Sequence, residues 1–401
     1  MKLFHVVLAI ACFACCSPMA QGTPNAASVP LIIIHNRAYV EVQLERRDRS
    51  MRPARFWVDN GNPELAISEP LARDLGLDLS KTGKNEDGMA VAAVELPRLL
   101  IGGLQIQTEA VSANVLLGNV HVFAEKDVDG ILPSTILKHY QVRFDYPGRR
   151  FTIGDPGALK PRGIRIACTV HPSTGMVLMT AKIAGKSYDM TLDMGSAFTL
   201  VSESLAQQWA TQHSDWPQLS GAIGAANMLG APYEAASPMM RVPSLELGSG
   251  KVQNAAVASM PKNFFDWYSQ KTSRPAVGAI GGNVLKSFRF LIDYPASAVY
   301  LERQIQPPQH EFDLVGLVLA PSRDRDGYFA IRSIARQHGK PVLECLQTGD
   351  KVLKIDGVDT QGKTLAEVID ALRGEPGSHR SLLLERKGAQ LTFNAAVVRL
   401  L

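Results

Sequence analysis

Four Asp-x-Gly triplets stand in the sequence, at Asp59, Asp74, Asp155 and Asp193. Asp74-Leu75-Gly76 reads as a helix end with Gly as its cap. Asp155-Pro156-Gly157 reads as a turn. The other two share a different setting. Each follows a β-type run, Phe56-Trp57-Val58 or Met190-Thr191-Leu192, and each precedes a second β-type run that ends in Ser and leads into a helix. Two carboxylates brought face to face cannot both ionise easily, so they share a proton and titrate as a coupled pair. One then serves as base toward a water while the other serves as acid toward a carbonyl. The glycine two positions on lets backbone approach where a side chain would block it.

Such a pair needs two equivalent elements to position it, and the chain contains an internal repeat. FWVDNGNPELAISEPLA, from Phe56, aligns with MTLDMGSAFTLVSESLA, from Met190, matching Asp59 with Asp193 and Gly61 with Gly195. LPRLLIGGLQIQTEAV, from Leu96, aligns with VPSLELGSGKVQNAAV, from Val242. GILPSTILKHYQVRFDYPGRRFTI, from Gly130, aligns with GAIGGNVLKSFRFLIDYPASAVYL, from Gly278, and both contain Asp-Tyr-Pro between β-rich runs, which reads as a hairpin turn. The three pairs occur in the same order. Each copy is mainly short β runs, with one helix after its Asp-x-Gly segment and a short one before the final hairpin. This pattern predicts compact β-barrels or sandwiches of ~130 residues.

On these residues the sequence resembles the bacterial retropepsin-like aspartic peptidases, in a form with two tandem copies. The resemblance implies a mainly β fold in which two pepsin/retropepsin-like acid-protease β-barrel domains, residues 30–155 and 160–303, form a pseudo-twofold unit. It implies Asp59 and Asp193 as the catalytic pair, on loops that include Asn60, Gly61, Met194, Gly195 and Ser196. It also implies a flap over a bound peptide or protein substrate, for which Gly221, Ala222, Ile223 and Gly224 are the candidates in the second copy and residues 88–93 in the first. Water is the nucleophile in such enzymes, and no cofactor is expected. The sequence departs from the family at both loops and in one later element, and Gly61-Asn62-Pro63 after Asp59 is stiffer than the usual small residues. Asn60 and Met194 replace the Thr or Ser whose hydroxyl braces the two loops. Pro133 replaces the Gly of the apolar-apolar-Gly element, which is intact at Ala279-Ile280-Gly281. These departures keep a second reading open, a catalytically inactive relative that binds peptides.

After a Pro-rich linker at residues 304–311 the pattern changes. DGYFAIRSI, from Asp326, is a turn and an alternating strand, and TGDKVLKIDGVDTQGKTLAEVIDAL, from Thr348, reads as turn, strand, turn and amphipathic helix. Residues 312–401 resemble an α+β PDZ domain, whose G-D-x-[VI]-L-x-[IV]-[DN]-G element appears here from Gly349 to Gly357. The resemblance implies binding of polypeptide C-termini, with Gly327, Tyr328, Phe329 and Ala330 as the carboxylate-binding loop. The stretch from Gly357 to Thr364 also fits the phosphate-loop pattern G-x-x-x-x-G-K-[ST], but the surrounding sequence lacks the repeated βα units of a nucleotide fold.

The chain has 401 residues and a net charge of +4, and so small an excess does not suggest nucleic acid, which favours concentrated basic patches. The Lys2-led apolar run Leu3–Ala14 has the length of a signal-peptide core, giving a leader over residues 1–21 and an exported, periplasmic or secreted protein. Ala9-Ile10-Ala11-Cys12 loosely resembles a lipoprotein cleavage box, which leaves a lipid anchor at Cys12 open. No later run reaches the ~20 apolar residues of a membrane helix. No H-E-x-x-H or close cysteine pair follows the leader, so no metal site is expected.

Overall fold

A computed structural model describes residues 25–86, 88–109, 111–118, 127–228, 230–305 and 310–401. The signal-peptide expectation, Cys12 and linker residues 306–309 lie outside these residues. The fold is mainly β, with β-barrel sheets and a PDZ domain.

Residues 32–133 and residues 169–341 each contribute a ten-stranded sheet. Inside both sheets the aspartate strand has the same neighbours. Strand Met51–Asp59 runs parallel to Gly130–Pro133, which pairs antiparallel with Ala66–Ser68. Strand Lys186–Leu192 runs parallel to Gly278–Ile280, which pairs antiparallel with Thr199–Ser202. A helix follows each short strand. Ser68 caps Glu69–Asp74 by accepting from the Leu71 N–H, and Ser202 caps Glu203–Gln212 by accepting from the Leu205 N–H. The short helices Ser134–Leu137 and Gly282–Leu285 precede the final hairpins.

Those hairpins build a six-stranded sheet shared by both halves. Its middle pair is Gln141–Asp145 against Phe288–Asp293, with Gln141 opposite Asp293 and Asp145 opposite Arg289. Phe144 stacks on Phe290 at a centroid distance of 5.2 Å, and both are buried. The Gln141 amide donates to Asp293 at 2.7 Å. Strand Ala26–Pro30, just ahead of the expected boundary at residue 30, closes one edge of this sheet against Arg150–Gly154.

The C-terminal domain has its own sheet, ordered Leu317–Pro321, Phe329–Ile334, Lys351–Ile355, His379–Arg386 and Ala389–Ala396. Helix Leu365–Ala371 packs on it through Leu365, Val368 and Ile369, with Thr364 and Glu367 forming a capping box. The phosphate-loop look-alike therefore ends on a hydroxyl already used as a helix cap. Asp350 of the glycine–aspartate element is buried and takes two bonds from Arg386, at 2.7 and 2.6 Å.

Candidate functional site

Asp59 ends its strand and Asp193 follows directly after its own, so the paired strand ends aim both carboxyls at one place. Their contact can be read from the two glycines. A Cβ added at Gly61 would lie 2.3 Å from Asp193 Cγ, and one added at Gly195 would lie 2.2 Å from Asp59 Cγ. Each carboxyl thus occupies the space that the opposite loop leaves by having no side chain. The Gly61 N–H donates to Asp59 Oδ1 at 3.1 Å, and the Ser196 N–H donates to Asp193 Oδ1 at 3.0 Å. The Ser196 hydroxyl is spent on the Phe198 carbonyl at 2.6 Å.

One side-chain hydrogen bond joins the two loops. Asn60 is fully buried, and its Oδ1 accepts from the Met194 N–H at 2.8 Å, so an amide does the work expected of a hydroxyl. The Met194 side chain contributes only buried apolar packing. At Pro133 the first copy keeps the strand geometry, because Pro133 sits opposite Asp59 at the end of the parallel pair.

Both aspartates open onto a cavity of about 460 Å³. Arg37, Trp57, Glu86, Met228, Tyr233 and Trp267 are among its walls. Burial pushes the Asp59 carboxyl well above its ordinary range, and the facing Asp193 charge pushes it further. Burial also raises Asp193, opposed first by a hydrogen bond from Tyr268. The Tyr268 hydroxyl donates to Asp193 Oδ2 at 2.5 Å. That bond favours the ionised form of Asp193. The Arg37 guanidinium, stacked over Trp57 at 5.4 Å, also acts against the rise at both carboxyls.

Two elements cover the cavity. Helix Lys262–Thr272 brings Phe264, Trp267 and Tyr268 to it. The hairpin of strands Thr82–Lys84 and Ala90–Val94 brings Glu86. Lys271 and Glu86 join them at 2.8 Å. Residues 88–93, expected as the first-copy flap, form the far side of this hairpin and do not line the cavity. The second-copy candidates Gly221, Ala222, Ile223 and Gly224 are placed elsewhere. They are buried, absent from the cavity wall, and share a hydrophobic cluster with the C-terminal domain. A Cβ on Gly221 would meet Val318 and Ala335 at 3.2 and 3.4 Å. Sequence reasoning missed Tyr268 and Arg37, which are remote from any Asp-x-Gly triplet. The aromatic run Phe264-Phe265-Asp266-Trp267-Tyr268 is the one signal that marks the covering helix.

The expected carboxylate-binding residues are likewise engaged. Phe329 and Ala330 pair on one side with Pro321 and Ala320, and on the other with Val352 and Lys351. The Gly327 carbonyl accepts from Gly362, and the Tyr328 N–H donates to Asp326. An added strand has no free backbone there, because a ladder edge needs unpaired groups. In this sheet the terminal strand next to the helix is Leu317–Pro321, and the Val315 N–H fastens its start to the Leu372 carbonyl at 2.9 Å.

Among the described residues, no group of three or more His, Cys, Asp or Glu is placed to hold a metal ion, and no helix is long and apolar enough to cross a membrane. Cys168 and Cys345 are free thiols. No curated protein matches the chain. Residues 344–386, which carry the glycine–aspartate element, the helix Leu365–Ala371 and the strand His379–Arg386, match the family model of the PDZ domain.

Proposed function

We propose that the chain is an aspartic-type endopeptidase of the retropepsin-like kind, built from two tandem pepsin-like domains, with a PDZ domain that binds polypeptide. The observation that carries this reading is the reciprocal seating of each carboxyl on the other loop's glycine, in the wall of a cavity of about 460 Å³. The matched strand registers around Asp59 and Asp193 support a common origin of the halves. In the proposed reaction, ionised Asp193 takes a proton from a water as its oxygen bonds to the substrate carbonyl carbon. Asp59 gives its proton to the carbonyl oxygen, forming a neutral gem-diol. Collapse of the gem-diol breaks the C–N bond as the amine takes a proton from Asp193 and Asp59 recovers one from the diol. The dyad returns to its starting state with one water consumed.

The N-terminal leader further suggests that the enzyme acts after export. One observation favours the inactive alternative. Tyr268 occupies a lone pair of Asp193, and Met194 supplies no hydroxyl, so the dyad is held differently from the family pattern. Digestion of a peptide library across acidic and neutral pH, with Asp59→Asn and Asp193→Asn as controls, separates the two. The proposal expects cleavage that both variants abolish. Library peptides that bind but remain intact at every pH would favour the alternative.

A further inference from the structure

The edge of Leu317–Pro321 that faces away from its own sheet is occupied by a loop from the second half of the chain. The Leu319 N–H donates to Asn227 Oδ1 at 2.7 Å, and Asn227 Nδ2 donates to the Leu319 carbonyl at 3.0 Å. One side-chain amide thus satisfies both backbone groups of an edge residue, as a partner strand does. Asn227 is 1% exposed. Glu234 holds it from behind, accepting from Asn227 Nδ2 at 2.9 Å and from the Met228 N–H at 3.0 Å. The loop's small apolar side chains, Ala222, Ile223, Ala225 and Ala226, join the buried cluster that contains Val368 and Leu372 at the groove helix. Gly230, at φ +64°, lies so close that a Cβ would stand 2.8 Å from Ala320 Cα.

We propose that this groove is a receptor for the chain's own loop, Ala222–Met228, and that an extended polypeptide enters only by displacing Asn227. The loop is continuous with the aspartate cavity, because Met228 and Tyr233 line its wall. Displacement therefore moves two wall residues, and occupancy of the PDZ edge reports directly on the cleft. The fitting partner is an extended chain with small apolar side chains that offers one free N–H and C=O opposite Leu319. The occupancy stands on the hydrogen bonds alone. Its regulatory consequence rests on the peptidase reading above.

The test uses the full chain carrying Asp59→Asn, so that the result does not depend on whether the cleft cleaves. The probe is a fluorescent peptide of the chain's own sequence Ser-Gly-Ala-Ile-Gly-Ala-Ala-Asn-Met. Asn227→Ala removes both contacts to Leu319, and Gly230→Ala wedges the loop off Ala320. Each should tighten binding about tenfold or more by freeing the competent state. Hydrogen exchange of the Leu319 amide should quicken in both variants without peptide. On the chain with its native loop, saturating peptide should quicken exchange at Met228 and Tyr233. Equal affinity in folded variants overturns the proposal, as does unchanged exchange at Leu319. Tightened binding without a change at Met228 and Tyr233 overturns the link to the cleft.

Discussion

At the scale of residues, the site depends on what is missing as much as on what is present. Gly61 and Gly195 leave space that the opposite carboxyls fill. Gly195→Ala should therefore destabilise the fold by ~1–3 kcal/mol through overpacking and separate the carboxyls, measurable by denaturant titration. The raised dyad has a definite stability signature. A carboxyl raised by burial binds its proton more tightly when folded, so its contribution is fully present below the ordinary carboxylate range and is lost as pH rises through the folded value. Tm should therefore fall with rising pH over that window, and Asp59→Asn should flatten the fall and raise Tm at neutral pH. An unchanged profile would remove Asp59 from the account. Tyr268→Phe removes a bond to the ionised Asp193, so the acidic limb of any cleavage profile should move to higher pH. The aspartates and glycines were legible in the sequence, because the repeated pattern singled out two triplets among four. Tyr268 was not, because its role depends on a helix packing across the cleft, a contact no local pattern encodes.

At the scale of elements, strand-to-helix capping was legible and covering elements were not. Ser68 and Ser202 stand where an N-cap belongs, ahead of helices that the sequence marks in both copies. The flap was harder to place. A glycine-rich stretch in the second copy resembles a mobile hairpin, yet its small residues serve close packing against the C-terminal domain. In the first copy the hairpin tip reaches the cavity through Glu86, and Lys271 joins it to the helix Lys262–Thr272. That pair is partly exposed and contributes at most ~1 kcal/mol. Glu86→Gln should thus leave Tm within about 2 °C while changing KM more than kcat, since it loosens the cover and leaves the dyad intact. A large loss of Tm would show that the pair holds the fold.

At the scale of the whole molecule, the two halves are joined by one sheet. The central pair of strands crosses from one half to the other, and its core is the stack of Phe144 on Phe290. Phe290→Ala should cost ~3–5 kcal/mol and lower the stability of both halves together, read as a single cooperative transition shifted to lower denaturant. Two separate transitions would contradict a shared core. The repeat in the sequence pointed to this arrangement, since both Asp-Tyr-Pro hairpins feed the same sheet. The position of the C-terminal domain was not legible, because it meets the second half through Asn227 bonded to Leu319, 92 positions away, through the pairing of Ser220 with Arg336 and through a shared hydrophobic cluster, none of which a local pattern encodes.

The central claim is that Asp59 and Asp193 act as one proton-sharing pair that hydrolyses peptide bonds. It is tested most directly by the cleavage rate of one identified peptide as a function of pH, for the native chain and for each Asn variant. The native chain should give a bell-shaped profile, and both variants should lose at least ~10²–10⁴-fold at its maximum. Cleavage that persists at the native rate in either variant would contradict it.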